Sequence, residues 1–64
     1  MTYQITFETA DGSLEHWADE TSRARAEKTA RSCAKTSAIN EPMEVTRWFV
    51  EENGLTISCF PVAA

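Results

Sequence analysis

The chain offers few residue types able to do covalent or metal chemistry: one histidine, His16, two cysteines, Cys33 and Cys59, and the neighbouring carboxylates Glu51 and Glu52. Nucleophilic catalysis needs a base beside the nucleophile and a third group to orient that base. A lone histidine within the alternating stretch "SLEHWA" reads instead as a structural residue, pointing inward near Phe7. His16, Cys33 and Cys59 are residue types that zinc accepts, but structural zinc sites want four ligands, often paired on tight loops, and these three fall within regular elements. Glu51-Glu52 stands at a turn edge, where solvated charge is the ordinary explanation. Both glycines, Gly12 and Gly54, are taken up by turns, which leaves none for a phosphate-binding loop. The expectation is a protein with no catalytic residues, no metal and no cofactor.

The elements that would position any site are legible from periodicity. "YQITFE" places Tyr3, Ile5 and Phe7 on one face of a strand, and "SLEHWA" returns after Asp11-Gly12 as a second strand. If Asp11 and Gly12 form a two-residue loop, Leu14, His16 and Ala18 join the Tyr3, Ile5 and Phe7 face, while Glu15 and Trp17 point the other way. A helix follows, capped by Thr21 or Asp19, with Asp19 and Glu20 at the positive end of its dipole. It begins near Thr21 or Ser22 and runs to about Ser37, with Asn40 and Pro42 as stop signals. Ala26, Ala30, Cys33 and Ser37 form a stripe of small residues suited to close packing on a sheet, and Lys28, Arg31 and Lys35 fall opposite it.

Asn53-Gly54 between two apolar runs is the strongest short-range hairpin signal. A two-residue loop there groups Trp48, Val50, Leu55, Ile57 and Cys59 toward the core, and Val45, Arg47, Phe49, Glu51, Thr56, Ser58 and Phe60 on the other face. The fold class expected is therefore α+β: an antiparallel four-stranded sheet with one helix packed on one face, in the order β-β-α-β-β, as a single domain over residues 1–64.

Sixty-four residues sit near the lower limit for a self-sufficient core, and 42% hydrophobic with 25% charged residues argues against a disordered chain. Apolar runs are too short to span a membrane, and residues 1–20 lack the features of a secretory leader. The expected compartment is the cytoplasm, with Cys33 and Cys59 reduced and buried.

Charge is segregated. Residues 22–37 hold five basic residues against Glu27, whereas the rest of the chain holds nine acidic residues against Arg47, within a net charge of −4. Two binding modes follow from this map. Glu8, Glu15 and Glu51 around Trp17, Phe49 and Phe60, with Arg47 among them, make an acidic face with aromatic anchors, suited to a basic protein partner. Alternatively Lys28, Arg31 and Lys35 grip phosphates, although the net negative charge opposes encounter with nucleic acid and makes direct binding the weaker expectation. A monomer or a homodimer is compatible with either.

Over its whole length the chain resembles small phage-encoded proteins, the anti-CRISPR proteins in particular. The likeness lies in size, acid excess and the alanine-rich "SRARAEKTARSCAK" between two hairpins, without a catalytic motif. What the resemblance implies is a stoichiometric inhibitor that binds a host CRISPR effector, a ribonucleoprotein, by covering its basic nucleic-acid-binding surface with an acidic one.

Overall fold

In a computed structural model, which describes residues 2–62, two hairpins flank one helix: β1 (Tyr3–Thr9), β2 (Leu14–Glu20), α1 (Arg23–Asn40), β3 (Val45–Glu52) and β4 (Leu55–Pro61). The strands form one antiparallel sheet in the order β2-β1-β3-β4. β1 and β3 pair in its centre, and α1 covers one face. This is the α+β class and element order expected from the sequence.

Ser22 caps the helix, its hydroxyl accepting from the Arg25 backbone N–H, so neither Thr21 nor Asp19 serves as the cap. Asp19 and Glu20 belong to β2, and no acidic residue occupies the first helical turn. Ala26, Ala30, Ala34 and Ser37 are buried beneath the helix and let it approach the sheet closely, where Ile5, Trp48 and Val50 supply the volume. The one polar member of that stripe has a partner: the buried Trp48 indole Nε1–H donates to Ser37 Oγ at 3.0 Å. Cys33, at the margin of the stripe, is partly buried, and burial pushes its thiol pKa up.

The strand registers depart from the expectation through one lengthened turn and three bulges. The first turn is a three-residue loop rather than a two-residue one: Thr9 N–H donates to Ser13 C=O at 2.9 Å, Gly12 N–H to Thr9 C=O at 3.0 Å, and only Gly12 takes positive φ, at 89°. Asp11 secures this turn by accepting from the Thr9 hydroxyl and from Ser13 N–H. Phe7 therefore pairs with Glu15, and Thr6 with His16. Leu14 and His16 turn away from the helix and are exposed, where a uniform two-residue loop would have buried them.

A bulge between Ile5 and Thr6 then absorbs one extra residue of β2, so that Trp17 joins Ala18 on the helix side. The second turn is the expected two-residue loop, Asn53 at φ 54° and Gly54 at φ 80°. Two residues into β4, however, Ile57 is bulged out of the ladder, which pairs Trp48 with Phe60, Val50 with Ser58 and Phe49 with Cys59. Phe60 and Ser58 consequently face the helix, and Cys59 is exposed on the other side rather than buried. A third bulge, at Thr46, brings Val45 to the helix side, where it is buried. Leu55, at the tip of the hairpin, is exposed and contributes nothing to the core.

Among the described residues no helix is long and apolar enough to cross a membrane.

Candidate protein interface on the open sheet face

The face that α1 leaves open follows from these registers. It carries Leu14, His16 and Asp19 from β2, Gln4, Thr6 and Glu8 from β1, Arg47, Phe49 and Glu51 from β3, and Thr56 and Cys59 from β4. Phe49 lies at its middle, between Thr6 and Cys59, and is partly buried. The Arg47 guanidinium carbon lies 5.3 Å from the Phe49 ring centroid, and Arg47 Nε donates to Glu8 Oε1 at 2.8 Å. The Thr46 hydroxyl donates to the same carboxylate at 3.0 Å. Hydrogen bonds from Arg47 and then Thr46 hold the Glu8 carboxyl below its ordinary pKa, so Glu8 stays ionised and Arg47 stays charged beside it.

Around this centre, Glu51 accepts from the Thr6 hydroxyl at 3.0 Å and Asp19 lies 2.7 Å from His16 Nε2. Three carboxylates, Glu8, Asp19 and Glu51, thus share the face with a single guanidinium that Glu8 already engages. The surface is net acidic and carries one aromatic ring at its middle. Such a face can meet a basic protein surface by charge complementarity and by stacking on Phe49 and Arg47.

Of the residues assigned to this face from the sequence, Glu8, Arg47, Phe49 and Glu51 lie together on it. Glu15, Trp17 and Phe60 do not: Glu15 pairs with Phe7, Trp17 packs edge-on to Trp48 with ring centroids 5.5 Å apart, and Phe60 lies beneath Arg31 of the helix. The longer first turn put His16 on this face in place of Glu15, and the bulges in β2 and β4 put Asp19 and Cys59 there. A signal for this existed in β4, where the apolar residues Leu55, Ile57, Phe60 and Val62 change phase between Ile57 and Phe60; an odd spacing in an alternating strand marks an inserted residue.

Lys28, Arg31 and Lys35 are all exposed on α1, away from its buried stripe. Arg31 also leans over the Phe60 ring at 5.4 Å, and Arg31 and Lys35 border a shallow cleft with Phe60 and Pro61. Glu27 accepts from Ser58 and from Arg23 Nε, tying the start of the helix to β4; these contacts hold its carboxyl below the ordinary value. His16, Cys33 and Cys59 do not converge, since Cys33 sits on the helix side while His16 and Cys59 lie on the two edge strands of the open face, about 14 Å apart at a strand spacing of about 4.8 Å. Among the described residues no group of three or more His, Cys, Asp or Glu is gathered in a metal-binding arrangement.

No protein-family model, curated protein or solved structure matches the chain.

Proposed function

We propose that this chain is a small, acidic, non-enzymatic inhibitor that acts in the bacterial cytoplasm by binding a basic surface of a host protein or ribonucleoprotein. Phage anti-CRISPR proteins, which it resembles in general character, work in this way on CRISPR effectors. The observation that supports the reading best is the uncovered sheet face, on which Phe49 stands among Glu8, Asp19 and Glu51 with Arg47 as the sole guanidinium. A binder of this size needs no pocket; a net-acidic face with one anchoring ring suffices to compete with nucleic acid for a cationic groove.

The test is a pull-down from bacterial lysate with the wild-type chain and Phe49→Ala in parallel, followed by mass spectrometry of the bound protein. The expected result is a stoichiometric basic partner that loses nucleic-acid binding when occupied, with Phe49→Ala weakening capture by about 2 kcal/mol or more, the scale of an interface hot spot. Recovery of nucleic acid alone, unaffected by Phe49→Ala, would transfer the function to Lys28, Arg31 and Lys35.

A further inference from the structure

Trp17 is 57% exposed although it packs against Trp48 and Phe7. It forms one wall of a cleft of about 200 Å³ between β2 and the C-terminal half of α1, with Phe7 and Val45 also apolar, and Ser32, Thr36 and Glu41 along the polar side. That volume lies below the ~300–1,000 Å³ typical of small-molecule sites and is suited to one long side chain.

The polar atoms of this cleft are acceptors of the kind a cation needs. Glu41 caps the helix through its backbone, its N–H donating to Ser37 C=O at 2.7 Å, while its carboxylate has no side-chain partner among the described residues. The Thr36 hydroxyl donates to Ser32 C=O, which leaves its lone pairs free to accept. The indole N–H of Trp48 is already engaged by Ser37. No lysine or arginine lines the cleft, and none occupies the last turn of α1, so the negative end of the helix dipole there is unopposed.

We infer that this cleft is a second contact site, on the helix side of the sheet, which takes an arginine side chain of a partner protein. The alkyl stem lies against Phe7 and Val45, the planar guanidinium stacks on the Trp17 indole, and its N–H groups donate to Glu41 and Thr36. Arginine fits better than lysine because its guanidinium is planar, weakly hydrated and able to stack while donating in its own plane. The site stands apart from the open face, and its test requires no cellular partner.

The experiment is an NMR titration of the ¹⁵N-labelled chain with the blocked tripeptide acetyl-Gly-Arg-Gly-amide, and with its lysine counterpart. Saturable shifts are expected at the Trp17 indole N–H and at the Thr36 and Glu41 amides, with weaker binding of the lysine peptide. Glu41→Gln preserves the backbone cap and should weaken arginine binding about two- to fivefold, the range for an exposed charge pair, whereas Glu51→Lys on the far face should weaken it less. Trp17→Ala, at an exposed position, should abolish the saturable component while the amide spectrum stays dispersed. Shifts centred on Phe49, equal affinity for the lysine peptide, or unchanged affinity in Glu41→Gln would each overturn the assignment.

Discussion

Ser37→Ala tests how the helix and sheet are joined. Trp48 is 4% exposed and Ser37 2%, so removing the serine hydroxyl leaves a largely buried indole N–H without its protein acceptor. An unsatisfied buried donor costs about 1–3 kcal/mol. Alanine is the better helix former and matches the small-residue stripe, which returns a few tenths of a kcal/mol. The net expectation is a loss of about 1–2 kcal/mol. In a domain of this length, each kcal/mol moves Tm by roughly 4–8 °C, so the midpoint should fall by about 4–16 °C. Thermal unfolding followed by circular dichroism reads this directly. The decisive control is the same substitution in a Trp48→Phe background, where the donor is gone and Ser37→Ala should be neutral or mildly stabilising. Equal cost in both backgrounds, or no cost in the wild type, would show that the hydrogen bond is not what the serine supplies.

The hydrogen-bonded carboxylates give a pH dependence of defined sign. Glu8, Asp11 and Glu27 have folded-state pKa values below their ordinary ones, so their stabilisation is full above the ordinary carboxylate range, about pH 4, and is lost as pH falls through the depressed values. The urea midpoint should hold steady from neutral pH to about pH 5 and drop below about pH 4, and Glu27→Gln should flatten part of that drop; a midpoint that rises on acidification would contradict this. Gly54→Ala should destabilise by about 1–2 kcal/mol, because φ of 80° is unfavourable for any residue with a Cβ, even though the added atom meets nothing within 4 Å. Urea unfolding of that variant checks it. Phe49→Ala should cost the isolated fold less than the ~3–5 kcal/mol of a fully buried phenylalanine, since its side chain is only partly buried, with the Arg47 guanidinium over its ring.

Local chemistry carried most of the architecture into the sequence. Asn53-Gly54 fixed its turn because two successive positive φ values need those residue types, and Ala26, Ala30 and Ser37 marked the buried helix stripe because only small side chains allow that approach. The faces of the strands were less legible. Alternation assigns a face only while the ladder is unbroken, and each bulge reverses everything beyond it. Trp17 moved to the helix side with the longer first turn and Phe60 with the β4 bulge, while Phe49 and Glu51, on the part of β3 from Arg47 to Glu51 that pairs with β1 without a bulge, kept the open face. Asp11-Gly12 misled for a related reason: the pair suits a two-residue turn, yet the hydrogen bonds of Asp11 to Thr9 and Ser13 favour a three-residue loop with Gly12 alone in the left-handed region.

The central claim, that the acidic sheet face recognises a basic protein surface, is tested most directly by association kinetics with the captured partner. Asp19→Lys combined with Glu51→Lys reverses charge on the open face without touching the Glu8–Arg47 pair, and Lys28→Glu, Arg31→Glu and Lys35→Glu reverse the basic side. The account predicts that the first variant associates about tenfold or more slowly, with the difference shrinking as salt screens it, and that the second associates at the wild-type rate or faster. An unchanged rate for the sheet-face variant together with loss of binding in the helix variant would contradict it and make the basic side of α1 the working surface.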